Sequence, residues 1–275
     1  MSAGPMRAVR SVPKLPPRPR DGHKGTFGTV LVVAGSEGMA GAAILSATSA
    51  LRGGAGLVRV AVPRALQAPL ALAVPCATTL PRSQANVRAA VATADAVVVG
   101  PGLGASRATR ALVAVVLRAS RAPVVFDADA LNVLAPLRAP LRGTGPLVLT
   151  PHPGEAARLL GVDTAAVQRD RRAALQALCA RSGAIVVLKG AATLVGDGRR
   201  YFTNRTGNPG MATGGSGDVL AGLLGALLAQ GMAPFAAACL AVHTHGAAGD
   251  LVARRLGEAG LIASDLPLAI AEVLR

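Results

Sequence analysis

Short apolar runs rich in β-branched residues recur along the chain, at 29–35, 57–62, 95–100, 123–126, 146–149 and 184–188. Apolar on consecutive positions rather than alternate ones, they predict parallel strands covered on both faces. Helical patterns lie between several of them, at about 40–52 and 106–119, and from Asp163/Thr164 to about Arg181 with Gly183 as the stop. The alternation predicts βαβ units with right-handed crossovers. A hairpin is expected over 192–196 and 199–203, turning at Gly196-Asp197-Gly198. Three helices follow, roughly 216–229, 234–255 and 263–274. The expected class is α/β, with a central, mostly parallel sheet and helices on both faces. Residues 1–22 carry Pro and Arg without periodicity and predict a tail or extended arm, and residues 23–275 a single domain. The segment PPRP at 16–19 has the composition of a proline-rich ligand, though a solvated leader accounts for it as well.

The stretch 203–230, TNRTGNPGMATGGSGDVLAGLLGALLAQ, concentrates the chemistry. Gly214-Gly215-Ser216-Gly217 precede Asp218, and the apolar, proline-free run from Val219 predicts a buried helix. Its first turn would offer unpaired N–H groups and the positive end of a dipole, a site for phosphate or a developing phosphoryl charge. Asp218 would stand at the mouth and accept a proton from a substrate hydroxyl, its place at the helix start favouring the ionised form. A plain helix cap is the other reading of the same aspartate.

Four more polar or glycine-rich turns lie at strand ends or helix starts, around 35–41, 100–104, 150–155 and 189–193. In a parallel sheet all five converge on one edge, where open α/β sheets bind ligands. Neither GxGxxG nor GxxxxGK[ST] is present, so neither a dinucleotide fingerprint nor a P-loop is supported.

Composition narrows the partners. The 275 residues carry a formal net charge of +15, 51% hydrophobic residues and only 2% aromatics. The arginines are mostly scattered and there is little to stack on bases, which argues against a nucleic-acid partner and for attraction of phosphorylated small molecules. Cys76, Cys179 and Cys239 are far apart in apolar settings and predict buried free thiols in a reducing cytosol. The apolar stretches are too short for a bilayer, and the N-terminus has no secretory core.

Several polar residues carry two readings. His152, between two prolines, is an aimed ring or a loop histidine without a role. Lys189, after a buried strand, can meet phosphate as a point charge or snorkel. Asp127, Asp129 and Glu155 can hold Mg²⁺, directly or through water, or cap helices. His243 and His245 lie two apart on a helix and form no zincin pattern, which argues against a metal there.

Six segments together, 24–47, VVVGPGLG (97–104), FDADALN (126–132), LTPHPGEAARLLG (149–161), VLKGAATLV (187–195) and 208–231, resemble the NAD(P)H-hydrate dehydratases, which are ribokinase-like proteins. The likeness covers about 22–275 in the family's order, and no epimerase-like segment fits ahead of residue 22, so the stand-alone dehydratase is expected. The resemblance implies phosphoryl transfer from ADP or ATP, with Mg²⁺, to the C6 hydroxyl of the S epimer of NADH or NADPH hydrate, and loss of phosphate to restore the nicotinamide. It implies that Asp218 is catalytic and that Gly214, Gly215, Ser216 and Gly217 form an anion hole, with serine at 216 where threonine is commoner. It implies that Lys189, Gly190, Ala191, Ala192, Thr193 and Gly217 contact the nucleotide, and that Ala42, Gly104, His152 and Asp218 meet the hydrate. A cytoplasmic homotetramer working beside a separate epimerase is also implied. The alternatives are a kinase of the same fold acting on a small alcohol, and a non-catalytic nucleotide sensor.

Overall fold

A computed structural model describes residues 6–275. In chain order the first half comprises β1 (Arg7–Val9), β2 (Thr29–Val33), α1 (Ala40–Arg52), β3 (Leu57–Val62), α2 (Arg64–Ala73), β4 (Thr78–Pro81), α3 (Gln84–Val91), β5 (Ala96–Val99), α4 (Arg107–Ala119), β6 (Val124–Phe126) and α5 (Asp129–Leu134). The second half comprises β7 (Leu147–Leu149), α6 (Pro153–Leu160), α7 (Thr164–Arg169), α8 (Arg171–Ser182), β8 (Ile185–Leu188), β9 (Leu194–Gly196), β10 (Arg200–Thr203), α9 (Ser216–Ala229), α10 (Pro234–Leu256) and α11 (Leu266–Val273).

All ten strands form one sheet in the order β1-β10-β9-β8-β7-β6-β5-β2-β3-β4. Only β9 runs against the rest, pairing antiparallel with both β8 and β10. The register of the central pair, Val30↔Ala96 to Val33↔Val99, sends Val30 and Val32 to one face and Leu31 and Val33 to the other. The first face is covered by α1, α2, α9, α10 and α11, the second by α3 to α8. Strands apolar on consecutive positions are therefore needed, because both faces are dry.

Helix α9 is apolar all round, and every residue from Val219 to Ala229 is buried. It lies between the sheet and α1, and two glycines permit the approach. A Cβ on Gly222 would stand 2.1 Å from Ser46 O, and one on Gly225 2.5 Å from the Val98 side chain. Ser46 and Ser49 of α1 complete the contact, donating to Asp218 O at 3.1 Å and Val219 O at 2.7 Å. The start of α9 is thus held by hydroxyls from a neighbouring helix.

Four features depart from the sequence reading. The segment α2–β4–α3 was not expected; β4 is the sheet edge, half exposed and ending at Pro81, so it lacks a buried-strand signature. The single helix expected to reach Arg181 breaks at Asp170, whose carboxylate caps α8 by accepting from Ala173 N at 2.9 Å. Cys76 is exposed, whereas Cys179 and Cys239 are buried as anticipated. The N-terminal arm is also not free: Arg7–Val9 pair in parallel with β10, Val12 and Leu15 pack on the core, and Arg18 stacks on Phe27 at 3.5 Å. Residues 1–5 of the expected tail lie outside the described residues. Among the described residues, no helix is long and apolar enough to cross a membrane.

Candidate active site

The sheet order reverses between β5 and β2: the chain passes from β2 to β3 and β4 on one side, then returns to β5 on the other. A crevice opens outside the carboxyl ends of strands at such a switch point. The turns after β2 and β5 meet there, with Gly35 N donating to Pro101 O at 2.8 Å. Gly102 lies against Ala42, close enough that a Cβ on it would be 2.9 Å from the Ala42 methyl. One strand pair further along, Lys189 N donates to Pro151 O at 2.8 Å, tying the turn after β8 to the turn after β7. The N-terminus of α9 closes the ring, since a Cβ on Gly217 would stand 3.2 Å from Lys189 Nζ and 3.9 Å from Asp127 Oδ2. All five turns singled out in the sequence therefore stand on one edge.

Charge in this ring is arranged around Lys189. Its ammonium donates to Asp127 Oδ1 at 2.7 Å and stands 3.8 Å from Glu155 Oε2. Thr150 Oγ1 donates to the same Asp127 oxygen at 2.6 Å. Asp127 and Glu155 are buried, so each carboxylate depends on these partners. Burial acts to lower the Lys189 pKa, but the pull of Asp127 and Glu155 outweighs it and raises the value. Burial raises the Glu155 carboxyl despite Lys189. Between Asp127 and Asp129, Ala128 holds φ +45°, a sparsely populated conformation for a residue with a Cβ.

Asp218 is different. It lies in the first turn of α9, whose N-cap Gly215 sits at φ +90° and provides no side-chain cap; Ser216 N donates to Thr213 O at 3.4 Å, and the N–H groups of Gly217 and Asp218 are left for an anion. No hydrogen bond or ion pair engages its carboxylate among the described residues. The expectation that the helix start would keep it readily ionised is corrected here. Burial first, then Asp127, with smaller pushes from Asp129 and Glu155, outweigh Lys189 and move its pKa up to about 7.

The expected hydrate-contacting positions Gly104 and His152 follow β5 and β7. Gly104, at φ +74°, donates its N–H to Asp129 Oδ2 at 2.8 Å. His152 is the N-cap of α6, its Nδ1 accepting from Gly154 N at 3.0 Å and Glu155 N at 3.4 Å. Glu155 Oε2 accepts in return from His152 N at 2.8 Å. With Nδ1 accepting, the ring proton is on Nε2, which stands 3.5 Å from Glu155 Oε1. Burial, then Lys189 and Arg158, lower the His152 pKa, so the ring is neutral at pH 7.

The expected nucleotide-contacting positions 189–193 follow β8. Gly190 at φ +126° and Ala192 at φ +52° fold 189–193 into a tight loop, closed by Thr193 Oγ1 donating to Gly190 O at 2.8 Å. Ala191 is carried at its crown. Arg171 braces the loop from below, donating to Leu188 O and Lys189 O at 3.1 and 3.2 Å.

The NAD(P)H-hydrate dehydratase family profile matches residues 30–271. The chain belongs to that family. The ADP-dependent (S)-NAD(P)H-hydrate dehydratase of Neisseria meningitidis is 46% identical over 90% of this chain and 86% of its own length. The bifunctional NAD(P)H-hydrate repair enzyme Nnr of Moorella thermoacetica is 46% identical over 95% of this chain, which spans 52% of that relative. The chain thus covers about half the length of the bifunctional relatives it matches. The Bacillus subtilis ADP/ATP-dependent NAD(P)H-hydrate dehydratase co-crystallised with ATP/Mg²⁺ superposes with a TM-score of 0.87, at 33% identity, covering 94% of this chain and 93% of that one. The fold is ribokinase-like.

The acidic residues of the site do not form a cage for a resident ion. Among the described residues no cluster of three or more His, Cys, Asp or Glu side chains is arranged to hold one. Lys189 already takes the cation's place between Asp127 and Glu155. A Mg²⁺ that arrives on nucleotide phosphates and keeps most of its water fits better, with one or two carboxylates turned to it. Asp127 Oδ2 would be the oxygen left for it, since Glu155 Oε1 already faces His152 Nε2 at 3.5 Å.

Two residues of α10 to which the sequence reading gave no part in the site, His245 among them, support it from outside. His245 of α10 is buried, with Nε2 3.5 Å from Ser216 Oγ, and burial lowers its pKa to about 4, so it meets the anion loop as a neutral ring. Asp250 of α10 accepts from Gly207 N at 2.9 Å and Asn208 Nδ2 at 3.0 Å, pinning the start of the same loop. Short polar residues on an otherwise apolar helix were the available signal.

Proposed function

We propose that this chain restores NADH and NADPH from the S epimer of their hydrates, using ADP or ATP. The observation that carries the reading is Asp218: a half-buried carboxylate without a partner, titrating near neutrality, beside an uncapped helix N-terminus. Placed against the C6 hydroxyl, it accepts the hydroxyl proton as oxygen attacks the terminal phosphorus of the nucleotide. The shortened nucleotide leaves. The N–H groups of Gly214–Gly217 and the Lys189 ammonium face the charge on the passing phosphoryl group, whose transfer needs positioning and charge stabilisation above all. Mg²⁺, when bound with the nucleotide, supplies further positive charge at its phosphates.

The phosphate ester then carries a good leaving group beside an electron-rich ring nitrogen. The nitrogen lone pair expels inorganic phosphate, loss of a neighbouring ring proton restores the double bond, and reduced nicotinamide results. Ala42, Gly104 and His152 line the hydrate side; Lys189 to Thr193 and Gly217 line the nucleotide side. Since only one epimer is used, an epimerising activity must feed the reaction. The reading also carries a cytosolic homotetramer, supported by the family resemblance alone.

The test mixes the protein with hydrated NADH, Mg²⁺ and either nucleotide, and follows the near-ultraviolet band of reduced nicotinamide. Recovery of that band with one phosphate released per molecule is expected. A stable phosphorylated product from a small alcohol, with hydrate untouched, would instead indicate a kinase. Tight nucleotide binding with no turnover would indicate a sensor.

A further inference from the structure

We propose that Arg158 of α6 binds a phosphate group of the hydrate substrate. The inference rests on the proposed function and extends it to a residue that the resemblance gives no part in binding. A relay of side chains leads to it. Gly104 N donates to Asp129 Oδ2 at 2.8 Å, Asn132 Nδ2 donates to Asp129 Oδ1 at 3.2 Å, and Arg158 Nε donates to Asn132 Oδ1 at 3.0 Å. The relay thus starts at one expected hydrate-contacting position and ends beside another. A Cβ on Gly154 would lie 2.9 Å from His152 Cε1 and 3.9 Å from Arg158 Nη1, so ring and guanidinium flank the same point.

The side chain is exposed, yet it is oriented, and oriented through Nε alone. Among the described residues no carboxylate stands within ion-pair distance of it. The fork of Nη1 and Nη2 is left open beside His152, and its charge pulls downward on the His152 and Glu155 pKa values, although burial keeps the Glu155 carboxyl raised. A fixed guanidinium with a free fork fits phosphate oxygens two at a time. The hydrate's own anionic groups are the diphosphate bridge and, in NADPH hydrate, the 2′-phosphate. The bland role, a cation in the last turn of α6 interacting with the helix dipole, needs neither Asn132 nor an open fork.

Arg158→Gln and Arg158→Lys are compared with wild type in steady-state kinetics on NADH hydrate and NADPH hydrate. For Gln, the hydrate KM should rise about tenfold or more, the loss of one charge-assisted contact, with kcat and nucleotide KM within about twofold. Lysine should recover only part, since it returns the charge without the fork. Asn132→Ala, which frees the guanidinium, should raise hydrate KM by a smaller factor with kcat unchanged. An equal rise on both hydrates assigns the contact to the diphosphate; a rise on NADPH hydrate alone assigns it to the 2′-phosphate. Unchanged KM for both hydrates, or a rise shared by the nucleotide, overturns the inference while leaving the proposed function standing. A wild-type protein that turns over neither hydrate overturns both.

Discussion

The carboxyl ends of β6, β7 and β8 and the N-terminus of α9 form opposite walls of one crevice, and they handle buried charge in opposite ways. On the first wall Asp127, Glu155 and Lys189 are paired with one another and with Thr150. On the second, the Asp218 carboxylate has no hydrogen-bond or ion-pair partner among the described residues, and its carboxyl shifts to about 7 instead. A charge that is satisfied stays ionised and organises its surroundings. A charge that is not satisfied keeps a proton within reach near neutral pH, which a general base requires. On the proposed reading, the paired wall sets the field and the unpaired wall does the proton transfer.

The sharpest way to break this contrast is Asp218→Asn. Turnover should fall by about 10²–10⁴-fold, the usual worth of a positioned base, with nucleotide KM little changed. Wild-type kcat/KM should decline as pH falls through about 7, where the carboxyl takes up its proton. Stability should move the other way. The folded pKa of about 7 lies above the ordinary 3.8, so the half-buried carboxylate is a burden that is complete above pH 7 and gone below the ordinary value. The Asn variant should therefore be more stable than wild type at pH 8, by on the order of 1–2 kcal/mol in urea titrations, with the gain shrinking toward pH 4. A variant that loses activity and stability together would place Asp218 among the paired charges.

Lys189→Met tests the other wall and should show the reverse sign. Removing the cation leaves two buried carboxylates uncompensated, a change that costs about 3 kcal/mol in comparable buried pairs. Because Lys189 holds the Asp218 carboxyl down, its loss should also push that group above about 7, readable from the carbon chemical shift of the carboxyl across a pH series. A stable variant with an unmoved Asp218 would mean that the two walls do not share a field.

Much of this arrangement was legible in the residues. Buried parallel strands need apolar side chains on both faces, so β2, β3, β5 and β8 announced themselves, and glycine turns at their ends located the crevice. Edge strand β4 did not, because one side of it faces solvent and Pro81 ends it. Nor did the break at Asp170, where a cap inside a run of helix formers reads as continuation. The direction of the Asp218 shift was misread, since a helix dipole is visible in sequence and the carboxylates of Asp127 and Asp129, some ninety residues earlier, are not. Contacts made across long sequence separations, such as Asp250 to Gly207 and Arg158 to Asn132, leave no local pattern at all.

Asp250 gives the smallest expected effect and the most specific one. The unpaired wall has no salt bridges of its own, so the loop before α9 must take its shape from α10. Asp250 holds Gly207 N and Asn208 Nδ2 with its two oxygens, and Asn208 Oδ1 in turn accepts from Gly210 N at 3.1 Å. Thr206 Oγ1 donates to His243 O at 2.8 Å, and His245 meets Ser216 at the far end of the loop. Asp250→Asn keeps one acceptor and turns an amide N–H₂ toward a donor, so one end of the loop loosens while the helices stay packed. Nucleotide KM should rise about tenfold, roughly 1.4 kcal/mol, with kcat at saturation close to wild type. Loss of kcat at unchanged KM would mean that Asp250 supports Asp218 directly, and the division between a positioned anion loop and a separate base would have to be redrawn.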